Sequence, residues 1–115
     1  MTDKTSLTPF FDPKGVAVIG ASQDPTKLGY LLATNLNRSG YKGAIHFVNL
    51  KGGTLLGKTI YESILDVPDP VDLAAVLIPS KFVIPTLREC GKRGIKAAII
   101  GAGGFREIGA EGLAL

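Results

Sequence analysis

The chain has 115 residues, of which 45% are hydrophobic, and a formal net charge of +3 at pH 7. This length suits one domain, and the composition excludes wholesale disorder. No apolar run approaches the roughly 20 residues of a membrane span, and a single cysteine excludes an internal disulfide or a cysteine-rich zinc site. The 13 basic residues are scattered, so a nucleic-acid-binding surface is not indicated. Because no signal-peptide pattern follows the polar residues 1–4, we expect a cytoplasmic protein that contacts no membrane.

Hydrophobic periodicity predicts short strands that alternate with amphipathic helices. Glycine, at 15 residues, is about twice as frequent as usual and marks many of the boundaries between these elements. In chain order the predicted elements are an N-terminal arm (1–14), a strand (16–19), a helix (28–38), a strand (44–48), a short helix within 55–67, a strand (72–78), a helix (82–92), a strand (96–100) and the start of a helix (107–115).

This alternation predicts an α/β fold for residues 15–115, a Rossmann-like doubly wound parallel sheet with helices on both faces. Ligands of such sheets bind at the carboxyl ends of the strands. Several glycines directly follow predicted strands, so we expect them to let a ligand approach the backbone closely.

The turn after the first strand, Gly20-Ala21-Ser22, can aim backbone amides at an anion in front of a helix. It does not complete the dinucleotide fingerprint Gly-x-Gly-x-x-Gly, because Ser22 and Pro25 stand at the second and third glycine positions. The second strand is followed by Lys51 rather than by an acidic residue for ribose hydroxyls. These features disfavour NAD and favour a ligand richer in phosphate. The alternative is that the small residues serve tight packing alone.

Other strand ends offer further contacts for such a ligand. Lys51 is either a point charge for phosphate or a solvated loop lysine. Pro79 and Ser80 follow the next long strand, where the proline ring can pack on a base and Ser80 can cap a helix. The run Gly101-Ala102-Gly103 permits close approach of the backbone to a ligand, or a steep turn.

His46 lies inside a predicted strand and Cys90 on a helix face, so both are interpreted as structural residues. The sequence contains no recognisable Ser-His-Asp set and no pair of residues with metal-ligand spacing. We therefore predict neither a catalytic residue nor a metal site in this chain.

The stretch FFDPKGVAVIGASQDPTKLGYLLATNLNRSGYKGAIHFVN resembles the N-terminal CoA-binding domain of the NDP-forming acyl-CoA synthetases, of the ADP-forming acetate–CoA ligase type. Succinyl-CoA synthetase α subunits are more distant relatives. The segments GKTIYESILDVPDPVDLAAVLIP, VIPTLRECGKRGIKAAII and GGFREIG are similar to the same family in order and spacing. The resemblance implies that coenzyme A lies at the strand ends and contacts Gly20, Ala21, Ser22, Gln23, Lys51, Pro79, Ser80, Gly101, Ala102 and Gly103.

The family joins a carboxylate to CoA while a nucleoside triphosphate is cleaved, through an acyl phosphate and a phosphorylated histidine. The resemblance implies that this histidine and the nucleotide-grasp domain lie in further domains or in a partner subunit, and that His46 is not the phosphorylated residue. We therefore expect this chain to bind CoA without turnover, and its sheet to continue beyond Leu115. The acyl substrate, the choice of ATP or GTP, and the formation of a homo-oligomer are left open.

Three other functions are left open by the sequence. The chain could be a stand-alone or acetyltransferase-fused regulatory module that binds CoA. It could be a fragment of an NAD(P)-binding oxidoreductase, which the missing acidic residue after the second strand disfavours. It could also be a purely structural interaction domain whose strand-end glycines only shape turns.

Overall fold

The computed structural model describes residues 12–101, which form a six-stranded sheet with helices on both faces. The strand order is β3-β4-β2-β1-β5-β6, and all strands except β3 run parallel. In chain order the elements are β1 (Gly15–Ile19), α1 (Leu28–Arg38), β2 (Ala44–Val48), β3 (Thr54–Leu55), β4 (Lys58–Tyr61), a 3-10 turn (Ile64–Asp66), β5 (Leu73–Val76), a second 3-10 turn (Ser80–Phe82), α2 (Val83–Arg93) and β6 (Ala97–Ile100).

The strand β1 is buried along its whole length because both of its faces are covered. Ala17 and Ile19 pack in the core on the α2 side, which includes Cys90. Val18 points the other way and packs in the core on the α1 side, which includes Ala33. A strand that is apolar at every position is typical of such a covered parallel sheet. The predicted Rossmann-like α/β fold is therefore confirmed.

The predicted short helix within 55–67 is wrong, except for the 3-10 turn Ile64–Asp66. The segment begins instead with a hairpin, in which Leu56 (φ 53°) and Gly57 (φ 76°) form a two-residue connection of positive φ. The following strand pairs Ile60 with Phe47 of β2. β-Branched and aromatic side chains at 59–61 favour this strand over a helix. The predicted parallel sheet thus gains an antiparallel edge strand.

The other described elements differ from the predicted ones only at their ends. The predicted helix at 107–115, the sheet beyond Leu115 and most of the predicted arm lie outside the described residues. No helix within residues 12–101 has the length and apolar character needed to cross a membrane.

The end of α2 is tied to the segment that leads into β5. Gly94, with φ 85°, ends the helix. The Arg93 guanidinium donates through Nε and Nη2 to the carbonyl oxygen of Val67, at 3.0 and 2.8 Å. Nη2 also donates to Asp69 Oδ1 at 2.7 Å, but the Asp69 side chain is 85% exposed whereas that of Arg93 is 20% exposed. The bond to the buried carbonyl therefore stabilises this junction more than the exposed ion pair does.

Alanine substitutions at the two ends of this contact separate the two interactions. We expect Arg93→Ala to lower the free energy of unfolding by about 1.5–3 kcal/mol, because the Val67 carbonyl loses its charged donor. Asp69→Ala should cost less than about 1 kcal/mol, since exposed ion pairs contribute little. Urea unfolding of both variants measures the difference, and equal losses would contradict the assignment.

Candidate functional site

A cavity of about 640 Å³ lies at the carboxyl ends of β1, β2, β4 and β5, beside the amino ends of both helices. This is the edge of the sheet at which the sequence predicts a ligand. Its lining includes Gly20 and Ser22 after β1, Lys27, Leu28 and Gly29 at the start of α1, Asn49, Leu50 and Lys51 after β2, Glu62 and Ser63 after β4, Leu77, Ile78 and Pro79 after β5, and Phe82, Pro85, Thr86 and Glu89 around the first turns of α2.

The end of β1 is held between its two neighbouring strands. Gly20 has a φ of +102° and donates its N–H to the carbonyl oxygen of Val48, at 2.8 Å. A Cβ added to Gly20 would lie 2.1 Å from the carbonyl oxygen of Leu77, which nothing but glycine permits. Ala21 is buried and donates to the same Val48 carbonyl at 3.2 Å. The turn after β1 is therefore fixed by backbone contacts on both sides. The prediction that this turn aims its amides at an anion is wrong for Gly20 and Ala21, because the Val48 carbonyl takes up both of their N–H groups.

The first turn of α1 approaches this turn very closely. A Cβ added to Gly29 would lie 1.9 Å from the carbonyl oxygen of Gly20. Lys27 precedes the helix and makes no side-chain capping bond, and Leu28 and Gly29 both line the cavity. The positive end of the α1 dipole therefore faces the cavity, where it favours an anion.

The packing role of Gly29 is not predicted by the dinucleotide fingerprint. The third glycine of a dinucleotide fingerprint allows close packing of helix and strand, and the expected position holds Pro25. Here Gly29 makes that approach four positions later. A glycine in the first turn of a predicted amphipathic helix was the available signal.

The loop after β2 is anchored to the loop after β1 through Asn49. Its Nδ2 donates to the carbonyl oxygen of Ala21 at 2.7 Å, and its Oδ1 accepts from the Lys51 N–H at 3.0 Å. The Gly52 N–H donates to the Asn49 carbonyl oxygen at 2.9 Å. The exposed Lys51 lines the cavity as expected, whereas Asn49 was not among the predicted site residues.

The predicted contacts Ser22 and Gln23 have different surroundings. Ser22 lines the cavity, and its Oγ accepts from the Asp24 N–H at 3.0 Å. Gln23 is absent from the lining, and its Nε2 donates to the carbonyl oxygen of Thr54. Hydrogen bonds from the N–H and hydroxyl of Thr26 lower the pKa of the Asp24 carboxyl. Several hydrogen bonds thus stabilise the loop after β1.

The predicted contacts after β5 and β6 are only partly at the cavity. Pro79 lines it and occupies the N-cap of the 3-10 turn, so Ser80 is the first residue of that turn and not its cap as predicted. The Gly101 N–H donates to the Val76 carbonyl oxygen at 2.9 Å and so extends the pairing of β5 with β6. Ala102 and Gly103 lie outside the described residues.

Charges of both signs face the cavity. Lys27 and Lys51 lie among the lining residues together with Glu62 and Glu89, neither of which was predicted. The Ser63 hydroxyl donates to Glu89 Oε1 at 3.3 Å. The only ion pair within residues 12–101 is the one between α2 and the segment before β5, so these four charges are not paired with one another. Anionic groups of a ligand are favoured beside the lysines and disfavoured beside the glutamates.

His46 and Cys90 lie away from the cavity lining. His46 Nε2 is 3.0 Å from the Pro70 carbonyl oxygen. Cys90 is 4% exposed, and burial, with a smaller effect of Glu89, raises its pKa from an ordinary 9.0 to about 11. In the part of the chain that the structure describes, no group of three His, Cys, Asp or Glu residues could hold a metal ion.

A family model described as "CoA binding domain" matches residues 14–112 of the chain. The chain is 48% identical over 111 residues to the acetate–CoA ligase (ADP-forming) I subunit alpha of Pyrococcus furiosus. It is 40% identical over 112 residues to the 4-hydroxybutyrate–CoA ligase (ADP-forming) of Nitrosopumilus maritimus. These matches cover 93% and 97% of this chain but 24% and 15% of the relatives, so the chain spans a quarter of their length or less.

The chain is also similar to a solved structure of a synthetase. The dinucleotide-forming acetyl-coenzyme A synthetase 1 of Ca. Korarchaeum cryptofilum, in complex with phosphate and ADP, matches with a TM-score of 0.83 at 40% identity. The match covers 93% of this chain and 23% of that one.

The reactivity of Cys90 tests whether it is a buried structural thiol. With a pKa of about 11, only about one thiol in 10,000 is ionised at pH 7. We expect Ellman's reagent to react slowly with the native protein and faster as the pH rises toward 11. The same chain in guanidinium chloride should react as an ordinary thiol. Equal rates in the native and denatured protein at pH 7 would contradict the burial.

Paired glycine substitutions test the close approach of α1 to β1. Gly29→Ala should lower the free energy of unfolding by about 3 kcal/mol, because its Cβ collides with backbone. Gly91→Ala is the matched control, since that helical glycine is exposed and has open space around it. It should raise stability by about 0.5–1 kcal/mol. Thermal unfolding distinguishes the two, and a neutral Gly29→Ala would count against the packing.

Proposed function

The chain belongs to the CoA-binding domain family of the ADP-forming acyl-CoA synthetases, and we propose that the cavity at the carboxyl ends of its strands holds coenzyme A. The observation that carries the proposal is the convergence of two anion-binding features on this one cavity. They are the amino end of α1 and the ammonium group of Lys51.

The charges of the lining support one orientation of the ligand. Phosphate groups are proposed to lie beside Lys51 and the start of α1, and away from the carboxylates of Glu62 and Glu89, which would repel them. The pantetheine arm carries amide N–H donors and apolar carbons, which suit Glu89 and the half-exposed ring of Phe82. Lys51 is proposed to meet the phosphate that CoA carries on its ribose, where NAD has a free diol.

The residues proposed for CoA contact fall into two groups. Gly20, Ser22, Lys51 and Pro79 line the cavity and are proposed to contact the ligand directly. Four others are proposed to support those contacts from neighbouring positions: Ala21, Gln23, Ser80 and Gly101. The proposal for Ala102 and Gly103 rests on the family match, which extends to residue 112.

The whole protein is proposed to be an NDP-forming acyl-CoA synthetase of the cytoplasm. It would convert a carboxylate, CoA and a nucleoside triphosphate to acyl-CoA, NDP and phosphate. The relatives are ADP-forming ligases, which supports ATP as that triphosphate. The phosphorylated histidine and the nucleotide-grasp domain are assigned to the remainder of the synthetase. The contact of His46 with the Pro70 carbonyl, away from the cavity lining, supports its exclusion from that role. The domain therefore supplies CoA binding and leaves the chemistry to other parts.

Calorimetric titration with CoA, dephospho-CoA and NAD tests the proposal. We expect CoA to bind most tightly, because it alone has the ribose phosphate that Lys51 can meet. Lys51→Ala should weaken CoA binding by about 1.5–3 kcal/mol through loss of a charge-assisted contact. Its effect on dephospho-CoA should be smaller.

Lys42→Ala is the matched control, because Lys42 is an exposed lysine that precedes β2, at the amino ends of the strands and so away from the cavity. It should leave CoA affinity unchanged. Equal binding of NAD and CoA by the unmodified chain would overturn the proposed function, and equal effects of the two lysine substitutions would overturn the role of Lys51.

A further inference from the structure

The Asn49 side chain joins the loop after β1 to the loop after β2, which carries Lys51. Its Nδ2 donates to the Ala21 carbonyl oxygen at 2.7 Å and its Oδ1 accepts from the Lys51 N–H at 3.0 Å. Only this orientation of the amide satisfies a carbonyl on one side and an N–H on the other. The side chain is therefore held in one rotational state by the loop after β1, and it positions the loop after β2.

The backbone on both sides of Asn49 is also fixed. Its N–H donates to the Tyr61 carbonyl oxygen at 2.8 Å, and its carbonyl oxygen accepts from Gly52 at 2.9 Å. The following glycines have φ of 64° and 101°, and Lys51 itself is exposed. A lysine next to such permissive backbone needs an anchor if its ammonium group is to stay near one place. Asn49, two residues before Lys51, provides that anchor.

The side-chain amide of Asn49 also affects which ligand the loop after β2 can bind. In dinucleotide-binding sheets an acidic residue after the second strand accepts hydrogen bonds from a ribose diol. Here that region offers Asn49, whose Oδ1 accepts the Lys51 N–H and whose Nδ2 donates to the Ala21 carbonyl. The positive charge of Lys51 follows two residues later. The arrangement suits a phosphorylated ribose better than a free diol.

We propose that Asn49 is a positioning residue that holds Lys51 against the turn at 20–22 and so determines the preference for CoA over dephospho-CoA. The inference rests on the proposed function of the cavity. It assigns to Asn49 no contact with the ligand, and its effect on binding passes through Lys51.

A double-mutant cycle tests this dependence. Calorimetry with CoA and dephospho-CoA is carried out on the unmodified chain, Asn49→Ala, Lys51→Ala and the double variant. In the unmodified background Asn49→Ala should lower CoA affinity about five- to tenfold, and it should reduce the ratio of CoA to dephospho-CoA affinity. In the Lys51→Ala background the same substitution should cost about twofold or less. A loss of equal size in both backgrounds, or an unchanged affinity ratio, would overturn the inference.

Two further variants separate positioning from general stability. Asn49→Asp keeps the acceptor for Lys51 but sets a negative oxygen against the Ala21 carbonyl, so it should lower CoA affinity at least as much as Asn49→Ala. Ser39 lies at the carboxyl end of α1, and its hydroxyl accepts a comparable hydrogen bond from the N–H two residues later. Ser39→Ala removes this bond and should leave CoA affinity unchanged. A comparable loss in Ser39→Ala, or unchanged affinity in Asn49→Asp, would contradict the positioning role. If the unmodified chain binds no CoA, the proposed function fails; if it binds CoA and the cycle is additive, this inference alone fails.

Discussion

The arrangement of the site depends on the close approach of backbone at Gly20. Its N–H donates to the end of β2 through the Val48 carbonyl, and its Cα lies against the carbonyl of Leu77 after β5. Its own carbonyl lies against Gly29 in α1. Three strand ends and a helix start therefore converge on a residue without a side chain. A methyl group at either glycine would separate these elements and widen the edge of the sheet where the cavity lies.

The electrostatic character of the cavity follows from that convergence. The short distance between α1 and β1 places the amino end of a helix, with its positive partial charge, at the carboxyl edge of the sheet. Asn49 then connects the loop after β2 to the same turn, which places Lys51 on that side of the cavity. Glu62 and Glu89 also line the cavity, and Glu62 lies beside Gly52 in the loop that carries Lys51. Backbone packing thus produces a cavity whose lining combines groups that favour an anion with carboxylates that suit hydrogen-bond donors.

The fold class could be predicted because short apolar strands and amphipathic helices alternate clearly, and the carboxyl edge of the sheet follows from the topology. The hairpin around Leu56 was missed because apolar residues at 60–65 also fit a helical period, whereas tertiary pairing with β2 decided the outcome. The packing role of Gly29 was not predicted because the loop between β1 and α1 is longer than the spacing of the dinucleotide fingerprint allows. The contacts of Asn49 and Gln23 join segments distant in sequence, so no local pattern reports them.

Coenzyme A is proposed to bind at the carboxyl ends of the strands. Amide chemical-shift mapping of the isotope-labelled chain during a CoA titration tests this proposal most directly. The largest shifts are predicted at residues 20–22, 28–29 and 49–53, which form or adjoin the side of the cavity that carries Lys51. Shifts confined to the amino ends of the strands, such as residues 42–44, or the absence of any shift at saturating CoA, would contradict the account.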